Sequence, residues 1–234
     1  MKKTIFPVAI MALLIIGTGT VAGQTSETRK VKDFTKVSFG VAGELNIKFG
    51  PEFKLVIEGP ERVVEETITE VNGDRLVIKR DHWKMDFHDD RVTIDLTMPE
   101  IRGLGVSGSG KANIIDQIKE ADNLDLSVSG SGKIMTSDLK ADRLDCGISG
   151  SGDIKLGGNG SVDNGDISIS GSGSFSGESV EIDHLEVSVS GSGDCYCRVG
   201  DSLEARVSGS GNVTYSGNPK VDARVSGSGH VRSR

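Results

Sequence analysis

One short phrase, a Val or Ile followed by Ser-Gly-Ser-Gly, recurs seven times between residues 106 and 229. Its copies span residues 106–110, 128–132, 148–152, 169–173, 189–193, 207–211 and 225–229. The first glycines of successive copies lie 18 to 22 residues apart, and the series is uninterrupted. A period of this length predicts a solenoid, in which every repeat adds one coil to a stack.

The residues around each copy alternate between apolar and polar. Counted from the first glycine of the phrase, the positions two and four residues before it and four residues after it are apolar in every copy, with Cys146 and Cys195 among them. This alternation is typical of strands with one buried face, and stacked copies bury one continuous apolar column. The sequence therefore predicts an all-β fold, a single-stranded parallel β-helix, and excludes a flexible Gly-Ser linker.

The phrase itself has the composition of a tight corner. Glycines at alternate positions permit positive φ and let adjacent coils approach without a Cβ. The serines on either side of the first glycine are predicted to stack into two hydroxyl ladders that join the coils. A polar ridge that binds a ligand is the alternative, whereas a phosphate-binding loop is disfavoured because no Lys or helix start follows the glycines.

A set of acidic residues follows the same period. Five residues before the first glycine, at an outward position of the predicted strand, stand Asp125, Asp145, Asp166, Glu186, Glu204 and Asp222. Carboxylates stacked ~5 Å apart in water repel by ~0.8 kcal/mol per pair, so such a column needs partners. Candidates are Arg143, Arg206, Arg224, Lys220 or a bound cation. We predict a solvated, partly salt-paired face that is the candidate ligand-binding surface, with a calcium site as the alternative.

The first 23 residues have the pattern of a secretory signal peptide. Lys2 and Lys3 precede a mostly apolar run over residues 5–16, and small residues follow up to Gly23. That run is too short for a comfortable membrane span. We expect an exported protein, periplasmic or extracellular at the cell surface, with no membrane span and no lipid anchor. A net charge of -7 argues against nucleic acid or an anionic membrane as partner.

Three cysteines are an odd number and too few for a disulfide framework. Cys195 and Cys197 lie two residues apart on one predicted strand, a spacing at which a disulfide forms poorly. We expect small buried side chains, with a Cys-x-Cys metal or redox site as the alternative.

Residues 24–100 are less regular than the seven coils over residues 101–234, and they are predicted to be a β-rich cap on the stack within one continuous domain, residues 29–234. Residues 37–47 have the pattern of a degenerate coil, and residues 60–70 that of a short helix with Pro near its start.

Two further features lie in the cap. Asn72-Gly73 is a hairpin-turn dipeptide between alternating strands. Residues 81–90 gather His82, His88, four acids and Trp83, the single tryptophan of the chain. We expect a solvated hairpin tip there, with stacking of Trp83 on a sugar as the alternative.

Several features occur in an order found in a known family. They are the secretory leader, the segment Phe34-Thr35-Lys36-Val37-Ser38, a strand-helix-strand insert closing on Asp74-Arg75-Leu76-Val77-Ile78, the strand end Met98-Pro99-Glu100-Ile101, and the serial coils. Over residues 29–234 this order resembles the head GIN domain family of auto-transporter adhesins, which is common in Bacteroidetes. The resemblance implies a right-handed β-helix, similar in shape to pectin lyases but without their catalytic residues, and a role in adhesion.

Together these features favour a secreted, non-enzymatic binding or structural module. We expect a cell-surface adhesin that recognises polysaccharide or another cell-surface component, has no catalytic residues and no cofactor, and is able to form homo-oligomers through open β-helix ends. The alternative is a carbohydrate-active enzyme that uses the outward Asp residues. An enzyme is disfavoured because catalysis needs a cleft and perturbed pKa values, whereas these acids follow the repeat almost without interruption.

Overall fold

The computed structural model describes residues 24–80 and 91–234. Of these described residues, 75% are in strands and 3% are in a helix. The elements in chain order are β1 (Gln24–Arg29), β2 (Lys36–Gly40), β3 (Gly43–Phe49), β4 (Lys54–Pro60), α1 (Glu61–Glu66), β5 (Thr67–Asn72), β6 (Arg75–Arg80), β7 (Val92–Met98), β8 (Gly103–Gly108), β9 (Lys111–Ile114), β10 (Ile118–Gly130), β11 (Lys133–Thr136), β12 (Leu139–Gly150), β13 (Asp153–Leu156), β14 (Gly160–Gly171), β15 (Ser174–Gly191), β16 (Asp194–Gly209), β17 (Asn212–Gly217), β18 (Lys220–Gly227) and β19 (His230–Ser233).

Strands β8 to β19 form the regular part of the molecule, a β-solenoid of about 7 turns. Each turn has one strand before its Ser-Gly-Ser-Gly corner and one after it, and both pair in parallel with the equivalent strands of the neighbouring turns. Leu126 of β10, Cys146 of β12 and Ile167 of β14, for example, stand directly in line. The predicted parallel β-helix is confirmed.

The core is the apolar column inside this stack. Val128, Ile148 and Ile169, from three successive copies of the phrase, are all buried. On the strands after the corner, Phe175 and Cys195 are in register and fully buried. All three cysteines are free and buried, which confirms them as core residues.

The corners are joined by main-chain hydrogen bonds. The first glycine of each phrase has positive φ, 112° at Gly150, and the amide of Ser151 donates to the carbonyl oxygen of Gly130 in the turn below at 2.8 Å. The corner serines, such as Ser149 and Ser170, stand in register. Within the described residues, however, none of their hydroxyls donates to the next turn, so the predicted hydroxyl ladders are wrong. The close-packed glycine backbones provide the connection instead.

The N-terminal region adds two more turns, and their order in the stack differs from their order in the chain. Strand β2 lies between β8 and β6 and is parallel to both, and β3 lies between β9 and β7 in the same way. Residues 36–49 are therefore a true turn, as the degenerate repeat predicts. The later strands β6 and β7 form the turn beyond it, farther from the regular coils.

Antiparallel strands and the short helix complete this end. Strand β4 pairs with β7 and β1, and β5 forms with β6 the hairpin predicted from Asn72-Gly73. Helix α1 is shorter than the predicted residues 60–70, because the β-branched residues from Thr67 onward continue as strand β5. The guanidinium of Arg29 donates to the carbonyl oxygens of Val64 at 3.0 Å and Thr67 at 2.8 Å, at the end of the helix.

Candidate functional site

The six periodic carboxylates form one column on the outside of the stack, which we call the acidic column. Strand register places each directly beside the next across adjacent turns, in the order Asp125, Asp145, Asp166, Glu186, Glu204 and Asp222. Successive side chains of a strand alternate between faces, so each carboxylate lies between two inward neighbours and points to solvent. The predicted outward column is confirmed.

Arginines pair with part of the acidic column. Arg206 bridges two of its members, with one guanidinium nitrogen on Glu186 and the other on Glu204. Arg143 lies 3.5 Å from Asp145, measured from Nε to Oδ1. Each of these arginines lies two residues along the chain from an acidic residue of the column, and Arg206 also reaches Glu186 in the adjacent turn. The repeat itself therefore supplies these partners. The guanidinium groups offset the repulsion between stacked carboxylates.

Ion pairing along the acidic column is uneven. Arg224 lies 3.4 Å from Asp222 in the last turn, whereas no Lys or Arg of the described residues forms an ion pair with Asp125 or Asp166. Lys220, the fourth predicted partner, lines the neighbouring surface rather than making an ion pair within these residues. The face is therefore partly salt-paired, as predicted.

The carboxyl group of Asp166 has a perturbed acidity. Partial burial raises the pKa of its carboxyl above the ordinary Asp value, the negative charges of Glu186 and Asp145 raise it further, and the charge of Arg143 opposes them. Asp166 therefore holds a proton more tightly than an isolated aspartate.

A surface groove of about 510 Å³ runs beside the last four members of the acidic column. Its other polar lining residues are Arg143, Asn164, His184, Ser202 and Lys220. The ring Nδ1 of His184 lies 3.0 Å from the hydroxyl of Ser202, which orients both groups toward this surface. The groove thus presents carboxylates, cations, an amide and a hydroxyl along several turns, a set able to hydrogen-bond an extended polar ligand.

Sequence reasoning missed a second groove, also of about 510 Å³, where the regular coils meet the N-terminal region. It is lined by apolar groups of Phe49, Ile101 and Ile118 and by charged residues that include Arg102 and Asp116. The carboxylate of Asp116 accepts a hydrogen bond from the amide of Phe49 at 2.8 Å. These residues come from segments distant in sequence and belong to no repeat column, so no pattern in the chain marks them.

Trp83, the predicted sugar-stacking residue, and the signal peptide over residues 1–23 lie outside the described residues. Within residues 24–80 and 91–234, no group of three or more His, Cys, Asp or Glu side chains is placed to hold a metal ion. The same part of the chain contains no helix that is long and apolar enough to cross a membrane.

The fold and this surface define a β-solenoid with a polar outward face. The sequence matches the family model "Putative auto-transporter adhesin, head GIN domain" over residues 33–219, and the chain belongs to this family. No curated protein matches it in sequence.

Solved structures of similar proteins share the fold. A "putative adhesin" from Bacteroides fragilis NCTC 9343 is 26% identical, with a TM-score of 0.84 over 90% of this chain and 97% of its own. Another "putative adhesin" and a "Putative lipid binding protein", both from Parabacteroides distasonis ATCC 8503, are 22% and 21% identical, with TM-scores of 0.75 and 0.74. Each of these two covers 92% of this chain and 98% of its own.

Proposed function

We propose that this protein is a non-enzymatic, adhesin-like binding module that acts outside the cytoplasm, and that its binding surface is the acidic column with the adjoining groove. The ligand we propose is a polysaccharide of a cell surface. The family model and the solved relative from Bacteroides fragilis NCTC 9343 are both named as adhesins, which supports the general role. The surface itself supports the choice of ligand.

The observation that carries the proposal is the repetition of one carboxylate at every turn. Stacked strands are ~4.8 Å apart, so a polymer lying along the solenoid axis would meet an equivalent acceptor at each step. Sugar hydroxyls donate hydrogen bonds, and ionised carboxylates accept them more strongly than neutral groups do. A repetitive ligand therefore gains contacts in proportion to its length.

Charge narrows the class of polysaccharide. The chain has a net charge of -7, and three arginines leave the acidic column with carboxylates in excess. Acidic polysaccharides would be repelled from this face, whereas neutral or amino-sugar polymers would not. We therefore expect a neutral or positively charged glycan.

One observation favours the alternative, a carbohydrate-active enzyme. The raised pKa of Asp166, in a groove that also contains His184, is a property that general acids share. The neighbouring carboxylates and partial burial already account for that shift, however, and they belong to the regular repeat. We therefore favour binding without turnover.

The test is a glycan array with the purified protein, followed by calorimetric titration of each glycan that binds. The triple variant Asp166→Asn, Glu186→Gln, Glu204→Gln neutralises the middle of the acidic column. Its affinity should fall roughly tenfold or more, the loss expected when a charge-assisted hydrogen bond of ~1.5 kcal/mol is removed.

The matched control removes three charges from the N-terminal region, at the exposed residues Glu52, Glu61 and Glu65. It should bind like the unmodified protein, because net charge changes equally while the column is intact. Equal weakening of both variants, or binding of no glycan, would refute the proposal. Shortened polysaccharide products after incubation would favour the enzyme instead.

A further inference from the structure

The two ends of the solenoid are built differently. At the N-terminal end, antiparallel strands β1, β4 and β5 and helix α1 lie against the outermost turn. At the other end, β18 pairs with β16 on one side, and no strand of the described residues pairs with its other side. A free strand edge offers unpaired N–H and C=O groups to another strand.

The last turn also leaves part of the core exposed. Val221 and Val225 of β18 are 41% and 44% exposed, whereas Leu203 and Val207, directly below them in β16, are 1% and 2% exposed. These valines continue the buried inward column, and they are exposed because no strand within residues 24–80 and 91–234 covers them. Apolar core positions at a free edge are the composition of a pairing surface.

We propose that β18 binds the β18 strand of a second copy of this chain, antiparallel and centred on Ala223, so that two solenoids join end to end. A two-fold axis through Ala223 places Val221 opposite Val225 of the partner and Asp222 opposite Arg224 of the partner. Antiparallel pairing in this register keeps inward residues opposite inward residues. The apolar core then runs without interruption from one copy into the other.

Charge selects this register over its neighbours. In the parallel stack Asp222 lies beside Glu204, and Arg224 lies beside Arg206, so like charges adjoin. The antiparallel pair brings acid beside base instead, and opposite charges facing each other across strands are favourable. A shift of the two-fold axis to Asp222 or to Arg224 would place two acids or two arginines face to face.

A shift of the axis by half a residue is excluded for another reason. It would place inward residues opposite outward ones and set a valine opposite Arg224 or Asp222, depending on the direction of the shift, because side chains alternate between faces with a period of two. Of the nearby registers, only the one centred on Ala223 pairs valine with valine and acid with base while it keeps inward residues opposite inward residues. The strand is self-complementary, which is what an isologous dimer requires.

The first experiment measures the mass of the full chain by sedimentation velocity over a range of concentrations. We expect a monomer-dimer equilibrium without larger species. Arg224→Asp alone and Asp222→Arg alone should each abolish the dimer, because each sets like charges opposite one another. The double variant Asp222→Arg, Arg224→Asp should restore it, since the exchange preserves complementarity. If the single variants lost the dimer because they misfold, the double variant would not regain it.

The second experiment fixes the register by cysteine crosslinking. Ala223→Cys should form a disulfide-linked dimer on mild oxidation, because residues directly opposite in antiparallel strands have Cα atoms ~4.5–5.5 Å apart, within disulfide range. Lys220→Cys is the matched control on the same edge. Its partner cysteine would lie about six residues, ~20 Å, away, so it should stay unlinked.

The native cysteines are buried and do not compete in this reaction. A chain that stays monomeric at every concentration, a series of higher oligomers, a dimer that survives both single charge variants, or equal crosslinking of both cysteine variants would each overturn the proposal.

Discussion

The substitution Gly150→Ala tests how the corners hold the stack together. Gly150 has φ of 112°, and a Cβ built on it would lie 2.5 Å from the carbonyl oxygen of Gly130 in the turn below. Backbone strain of a non-glycine residue in this region costs ~1–3 kcal/mol, and forced overlap in a packed interior costs a further ~1–3 kcal/mol. We expect a loss of about 2–6 kcal/mol in the free energy of unfolding.

Two other glycines in the same turn provide matched controls. Gly147 lies on the outward side of β12 with no atom within 4 Å of a built Cβ, so Gly147→Ala should be neutral or stabilise by ~0.4–1 kcal/mol. Gly152 lacks positive φ, but its Cβ would lie 2.5 Å from the carbonyl oxygen of Gly132. Gly152→Ala should therefore show only the overlap contribution, ~1–3 kcal/mol.

The assay is guanidinium-induced unfolding followed by far-ultraviolet circular dichroism, with thermal melts as a check. For a chain of this size each kcal/mol corresponds to ~2–4 °C, so Gly150→Ala should melt roughly 5–20 °C lower. If Gly150→Ala and Gly147→Ala have the same stability, the reasoning about the corner is refuted. If Gly152→Ala costs as much as Gly150→Ala, positive φ contributes nothing.

Three further predictions concern single residues. Because the pKa of Asp166 is raised in the folded state, the folded protein binds a proton at this carboxyl more tightly than the unfolded chain does. The ionised carboxylate therefore destabilises the fold at pH values above the raised pKa. This destabilisation is absent at pH values well below the ordinary Asp pKa of ~3.9. Asp166→Asn should thus stabilise the protein at pH 7 but not at pH 3, and a gain at both values would contradict this. Burial raises the pKa of the Cys146 thiol, with Asp125 and Asp145 adding to it, so iodoacetamide should label this residue only in denaturant, as read by mass spectrometry. Phe175→Ala should cost ~3–5 kcal/mol of unfolding free energy, since that ring is fully buried; a loss below ~1 kcal/mol would show that the turn collapses around it.

The regular coils could be predicted from the sequence because burial there depends on one local rule. Alternation around each phrase identifies the inward side, and Cys146 and Phe175 are buried where that rule places them. The exceptions, such as Val225 and Ala223, are exposed because no strand among the described residues covers the last turn. That is a property of the end of a stack, which a local pattern cannot show.

The N-terminal region could be predicted only in part. Residues 37–47 have the pattern of a coil and form one, but its place between β6 and β8 depends on which distant strands pair. The alternation of apolar and polar residues is the same whichever strand lies beside it. It therefore predicts that a segment is a strand, but not the position of that strand in the sheet. The groove beside Phe49 and Asp116 was missed for the same reason, because that order creates it.

The site was predicted as a column but not as a groove. A fixed distance from each corner glycine identified the carboxylates, and nearby positions of the same repeats identified their three arginine partners. The recess along Asn164 and His184 depends on how outward side chains of adjacent turns lean, and several of its residues vary from copy to copy. The spacing of residues in the sequence does not predict how these side chains lean.

The in-register corners have a consequence for how such a gene can change. Removing residues 151–171 would join Gly150 directly to Ser172 and recreate an intact Ile-Ser-Gly-Ser-Gly phrase, since the excised piece begins and ends at equivalent points of the coil. Every remaining turn would keep neighbours of the kind it has now. Insertions and deletions of whole coils would therefore alter the length of the rod in steps of ~4.8 Å and leave its architecture unchanged. The length of the solenoid is therefore an inherited property that can change one coil at a time.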